Sequence, residues 1–172
     1  MGFSVFIFDY RGYGLSEGNL SEEGTYKDAQ AALDYLIDEK NFKIENIVYF
    51  GRSLGASIAS WLAVKHKPKV LILESAFTSI EDLASHLYPF LPVRLLARYH
   101  YNTKKYLEST NCPVLIIHSP DDEMIPYSHA VDLYNTADQP KEFFQLQGTH
   151  NEGFILTGHP YTEKIRDFIL KN

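Results

Sequence analysis

Ser53 sits in Gly51-Arg-Ser-Leu-Gly55, a match to G-x-S-x-G. Ile47 to Phe50 before it is a short apolar strand segment, and Ala56, Ala59, Leu62 and Ala63 after it recur at helical spacing. A serine on a sharp strand-to-helix turn is held in a strained backbone conformation, and glycines on either side let neighbouring chain approach. The helix behind it presents unpaired N–H groups that favour developing negative charge, so the Leu54 N–H is a candidate oxyanion donor. This is the setting of a serine nucleophile that takes up an acyl group.

Such a serine needs a base, and the base needs an orienting carboxylate. Where the nucleophile sits on a turn of this kind, the chain order is Ser, acid, His, each on a loop after a strand. Val114 to Ile117 is followed by His118-Ser-Pro-Asp-Asp-Glu-Met-Ile-Pro126, and the strand around Phe144 by Gly148-Thr-His-Asn151. His150 is the candidate base, and Asp121 and Asp122 both stand where the acid is required. His66, His86, His100, His129 and His159 have no regular spacing to a partner, which fits surface or capping roles. His118 with the two aspartates lacks a third ligand, so no metal is expected. Gly12-Tyr-Gly14 places its third glycine at Gly18, one residue late for a dinucleotide loop, and no acid follows the strand ending at Phe50. No cofactor is implied.

These residues need a scaffold. Phe3 to Phe8 reads as a strand covered on both faces, followed by a Gly-rich turn, Arg11 to Gly18. Tyr26, Ala29, Leu33, Leu36 and Ile37 mark an amphipathic helix ending near Lys40. Val70 to Leu73 and Val114 to Ile117 are buried strands, and a helix follows at about Tyr127 to Thr136. Phe143, Phe144 and Leu146, among polar residues, form an edge-like strand, and Tyr161, Ile165, Phe168 and Ile169 a closing helix. This alternation predicts an α/β fold, a mostly parallel sheet with helices on both faces, in one domain over 1–172. An insertion at about 79–110 breaks the rhythm. Its aromatic, Pro-punctuated part makes Leu87, Tyr88, Phe90 and Leu91 candidates for a lid over an apolar, acyl-binding pocket. Arg94 and Arg98 beside them suit a solvated face.

Composition narrows the partners. The net charge is −6 with no basic block, so nucleic acid is not expected. Cys112 is the one cysteine, which excludes an internal disulfide and fits a reducing, cytoplasmic compartment. No apolar stretch approaches the ~20 residues of a membrane span. The apolar start lacks a basic region and a cleavage site, and so reads as a strand, not a signal peptide.

Five ordered motifs, Phe8-Asp-Tyr-Arg-Gly-Tyr-Gly-Leu-Ser-Glu-Gly18, Gly51 to Gly55, Leu73-Glu-Ser-Ala-Phe-Thr-Ser79, Asp122-Glu-Met-Ile-Pro126 and Gly148-Thr-His150, together resemble the α/β-hydrolase superfamily. The branch they are most similar to is the serine aminopeptidase-like, lysophospholipase-like or α/β-hydrolase-domain group. The resemblance implies Ser53 as nucleophile, His150 as general base and Asp122, preceding Glu-Met-Ile-Pro, as the acid in preference to Asp121. It implies a structural role for the Asp9 to Gly14 turn.

The resemblance also implies an N-terminally truncated fold lacking its first strands, because Phe3 to Phe8 is similar to the strand that follows a His-Gly-rich loop in that superfamily. That loop donates the second oxyanion N–H, and losing one such donor costs about 10²–10³ in turnover. The superfamily sheet places a further strand between Phe3–Phe8 and Ile47–Phe50. The expectation is that these two strands pair directly, or that a second copy fills the gap as a homodimer. The functional expectation is a serine hydrolase acting on an ester, thioester or amide of a small-molecule or acylated substrate. Its rival is a hydrolase-like module that binds a partner or dimerises without turnover.

Overall fold

The computed structural model describes residues 1–172, the side chain of Arg94 excepted, so the Arg94 part of the solvated-face expectation lies outside the described residues. Four parallel strands form one sheet in the order β1-β2-β3-β4: β1 Val48–Arg52, β2 Val70–Glu74, β3 Val114–His118 and β4 Lys141–Gln145. All four were expected from apolar runs within a residue or two at each end. β2 and β3 are buried along their whole length, as near-continuous apolar strands of a covered parallel sheet should be. β4 is half-buried, matching its mixed composition.

Successive side chains of a strand point to opposite faces, and the register aligns Leu71 with Val114 and Leu73 with Ile116. Leu71, Leu73, Val114 and Ile116 therefore enter one core with residues of helices α1 (Glu22–Asp34) and α2 (Leu54–Lys65). Val70, Ile72, Leu115 and Ile117 enter the opposite core with Ile165, Phe168 and Ile169 of the closing helix. Helices thus cover both faces. α1 is capped by Ser21, whose hydroxyl accepts the Gly24 N–H at 3.1 Å, and Glu22 and Glu23 complement its N-terminus. It continues as a π-helical turn over Tyr35–Glu39, so helical backbone ends at the expected Lys40. α2 lies close on the sheet because Ala56, Ser57, Ser60 and Ala63 are small, with Ser60 Oγ returning a hydrogen bond to the Ala56 carbonyl at 2.8 Å.

Between β2 and β3 lie α3 (Ile80–Leu87), α4 (Val93–Leu96) and α5 (Thr103–Leu107). The insertion is divided. Tyr101, Thr103 and Leu107 are buried against the core, whereas Leu87 to Leu91 is exposed. After β3 come α6 (Tyr127–Thr136), then α7 (Gly153–Thr157) and α8 (His159–Lys171) beyond β4.

One expected element differs. Phe3–Phe8 is not a strand: it makes no ladder, and β1 bonds to β2 alone among the described residues, so direct pairing of these two segments does not occur. Nor is the segment covered on both faces as expected. Phe8 and Tyr10 pack on the core and Phe6 stacks on Tyr35, its ring centroid 5.7 Å away, while Val5 and Ile7 are 80% and 83% exposed. A strand is defined by a bonded neighbour, and apolar periodicity cannot supply one.

Candidate active site

Ser53, Asp122 and His150 stand on three loops that leave the C-terminal ends of parallel strands, where open α/β sheets present their ligand sites. Ser53 lies between β1 and α2 with φ 52° and ψ −120°, a conformation that costs a non-glycine residue about 1–3 kcal/mol. The surroundings hold it there. Its N–H donates to the Glu74 carbonyl at 2.9 Å and its carbonyl accepts the Ala56 N–H at 3.0 Å. Leu54 is the first residue of α2, so its N–H has no acceptor within the helix.

The two glycines of the motif do different things. A Cβ on Gly51 would lie 2.3 Å from the Gly55 carbonyl oxygen and 2.6 Å from Ala56 Cα, both backbone atoms that cannot give way. A Cβ on Gly55 would meet only Tyr10 Oη, at 3.7 Å. Gly51→Ala is expected to destabilise the fold by several degrees of melting temperature. Gly55→Ala, in the first turn of α2, should leave it unchanged or raise it, since alanine is favoured over glycine in helices by up to about 1 kcal/mol. Thermal denaturation of both variants measures this.

Asp122 and His150 are brought together. His150 Nδ1 is 2.7 Å from Asp122 Oδ2, both side chains being buried. The other carboxylate oxygen accepts the Met124 and Ile125 N–H groups at 2.9 and 2.8 Å. Burial alone would raise the Asp122 pKa, but the bonds from His150, Ile125 and Met124 outweigh it and hold the carboxyl below its ordinary value. Asp121, the neighbour that the resemblance ranked below it, is exposed and its N–H is tied to Ser119 Oγ at 3.1 Å. Among the described residues no hydrogen bond joins Ser53 to His150.

His118, at the end of β3, is fully buried behind the aspartate. Its Nε2 donates to the Ile125 carbonyl at 2.9 Å and lies 3.6 Å from Asp122 Oδ2. Burial lowers its pKa, consistent with a neutral ring that buttresses the acid loop. No group of three His, Cys, Asp or Glu side chains is arranged to hold a metal among the described residues.

Four residues near the site had no role in the sequence reading. Arg52 precedes Ser53, Glu74 ends β2, Glu123 follows Asp122, and Tyr161 lies on α8. Glu74 is an acid closing an otherwise apolar buried strand, which is a legible signal. The partners of the others are set by tertiary structure. The lid candidates Leu87, Tyr88, Phe90 and Leu91 sit at the end of α3 and in the turn to α4, and Phe90 is 97% exposed.

The Asp9 to Gly14 turn is bonded as a scaffold. The Arg11 guanidinium grips Asp28 of α1, with Nη2 2.7 Å from Oδ1, and the Arg11 N–H donates to the same carboxylate at 2.9 Å. Among the described residues no helix is long and apolar enough to cross a membrane.

Known proteins share both sequence and fold. The chain is 38% identical over 170 residues to an uncharacterised protein of Mycobacterium tuberculosis, covering 98% of this chain and 60% of that one. It is 40% identical over 187 residues to the α/β hydrolase domain-containing protein WAV2 of Arabidopsis thaliana, covering 98% and 61%. The chain thus spans about three-fifths of the length of these relatives. Its fold is similar to that of an α/β hydrolase from Vibrio vulnificus, with a TM-score of 0.78 at 22% identity over 93% of this chain and 61% of that one. A Pyrococcus furiosus esterase gives 0.76 at 20% identity over 95% and 67%. The prolyl oligopeptidase family model matches residues 1–169, so this chain belongs to that family, within the α/β-hydrolase superfamily that its motifs resemble.

Proposed function

We propose that the chain carries the reacting residues of a serine hydrolase that cleaves an ester, thioester or amide through an acyl-enzyme on Ser53. His150 Nε2 takes the Ser53 hydroxyl proton as Oγ bonds to the substrate carbonyl carbon. The Leu54 N–H faces the oxygen that becomes negative. The bond to the leaving group then breaks, and the leaving group takes the proton from His150. Water repeats the sequence and frees the serine. Asp122 holds the imidazole with Nδ1 protonated and Nε2 free to accept.

The observation that carries this reading is the 2.7 Å bond between buried Asp122 and His150, with Ser53 in a strained turn at the same end of the parallel sheet. An apolar acyl substrate is supported by the exposed Leu87, Tyr88, Phe90 and Leu91, which offer aliphatic and aromatic surface without charge. The Pyrococcus relative is named as an esterase, in keeping with an ester as the bond cleaved.

The test is intact mass after treatment with a fluorophosphonate, with Ser53→Ala alongside. One adduct on the wild-type protein and none on the variant is the expected result. Folded wild-type protein that takes no adduct would overturn it. The second reading, a partner-binding module, draws on the exposed apolar Val5 and Ile7 and on the outer edge of β1, which pairs with no strand among the described residues. It would then stand, and sedimentation would show whether the partner is a second copy.

A further inference from the structure

The reaction above leaves a chain of buried and half-buried charges unused. Arg52 and Glu74 are paired residues of β1 and β2, at the strand ends from which the Ser53 turn departs. Glu74 is 2% exposed, and a carboxylate in that position needs partners. Its Oε1 is 3.2 Å from Arg52 Nε, and its Oε2 accepts the Tyr161 hydroxyl of α8 at 2.5 Å. Burial, followed by the charge of Glu74 and this bond, raises the Tyr161 pKa, so the phenol remains a donor.

Held in this way, the Arg52 guanidinium reaches the histidine loop. Its Nη2 donates to the His150 carbonyl oxygen and, at 3.0 Å, to Asn151 Oδ1. On the other side of the same residue, the His150 N–H donates to Glu123 Oε2 at 2.9 Å. That bond is the main reason the Glu123 carboxyl lies below its ordinary value. Both peptide groups of His150 therefore end on a charged side chain, and charge-assisted bonds of this type are stronger than neutral ones. One clamp residue is the sequence neighbour of Ser53 and the other of Asp122.

An imidazole tied only through Nδ1 can swing about that single bond. Fixing its backbone from two sides removes this freedom and sets where Nε2 lies relative to Ser53 Oγ. We propose that Arg52 and Glu123 are positioning residues that clamp the backbone of His150, with Glu74 and Tyr161 aiming the guanidinium. The inference rests on the reading of Ser53, His150 and Asp122 as the reacting set. Misplacing a reacting group by an ångström costs up to about 100-fold in rate, which sets the scale.

The experiment compares Arg52→Gln, Arg52→Lys, Glu123→Ala and Glu123→Gln for hydrolysis of a p-nitrophenyl acyl ester, fluorophosphonate labelling rate and melting temperature. Exchange of the His150 amide is followed by NMR in the same proteins. The expected result is a fall in kcat of about 10- to 100-fold for Arg52→Gln and Glu123→Ala, with KM within about twofold. Arg52→Lys keeps a cationic donor and Glu123→Gln keeps an acceptor, so each should recover much of the loss. The His150 amide should exchange at least about tenfold faster in Glu123→Ala, since its acceptor is gone.

Wild-type kcat in both truncated variants would overturn the clamp. So would equal losses in the truncated and conservative variants, or a loss that tracks melting temperature alone. Arg52→Gln strands the Glu74 charge; should it fail to fold, Arg52→Gln with Glu74→Gln removes that charge. Glu123 is exposed, so Glu123→Ala carries the test on its own. The two levels separate cleanly. A wild-type protein that neither labels nor turns over sinks the hydrolase reading, while the amide exchange still decides the clamp.

Discussion

Replacing His150 by alanine is expected to abolish turnover of an acyl ester, lowering kcat by about 10⁶ and leaving no measurable fluorophosphonate labelling of Ser53. The size follows from what the ring does twice in each half-reaction. In the proposed mechanism it removes the serine proton during attack and returns a proton to the leaving group, and no other side chain among those described is placed to substitute. His129 is buried on α6, where its Nδ1 is engaged by Thr78, and His118 is shut behind the acid loop. The variant should still fold, because His150 lies in a loop and not in either core. It should melt at a lower temperature, since Asp122 keeps only its two backbone donors. Stopped assays at high enzyme concentration, with circular dichroism for the fold, measure both. Residual activity above about a thousandth of wild type would mean that another base acts.

Asp122→Asn should lower kcat by about 10⁴ with the loop geometry intact, on the scale seen for this exchange in serine proteases. The asparagine carbonyl can keep the Met124 and Ile125 N–H bonds that Asp122 Oδ1 now receives. Its amide then faces His150 Nδ1 as a donor, which selects the tautomer with the proton on Nε2. A ring in that state cannot accept from Ser53. A second consequence follows from the lowered Asp122 pKa. A depressed folded-state value stabilises the protein above the unfolded carboxyl pKa, and that contribution is lost as pH falls through the folded value, below 3.8. The asparagine variant has no such group, so its melting temperature should fall less steeply than that of the wild type as pH drops from 4 towards 2. Parallel acid denaturation curves would sink this part, and a kcat within tenfold of wild type would sink the first.

Much of this arrangement is written locally. The helix periodicity of Tyr26, Ala29 and Leu33 places one stripe on the core, and all three are buried there. The apolar runs of β2 and β3 are long enough for strands and too short for helices, and they are buried from end to end. Ser53 could be placed on its turn because the strand, the glycine and the helix adjoin in sequence, and Gly51 is needed for reasons of contact within five residues. Other features depend on partners that periodicity does not name. Phe3–Phe8 has the apolar run of a covered strand and no ladder neighbour, and composition does not supply the backbone bonds that make a strand.

By itself, then, the sequence determined the element order, the strand-to-helix turn holding Ser53, and the order of serine, acid and histidine. Each rests on residues a few positions apart, where backbone geometry dictates which side chains share a face. Loop position alone left Asp121 and Asp122 level and the resemblance favoured Asp122; the tertiary structure supplies the physical reason, burying that carboxylate against two N–H groups and leaving its neighbour in solvent. It alone joined Arg52 to His150 across 98 residues and Glu123 to the same residue across 27. Hydrogen bonds reach about 3 Å, and proximity at that scale between distant segments is created by the packing of the sheet.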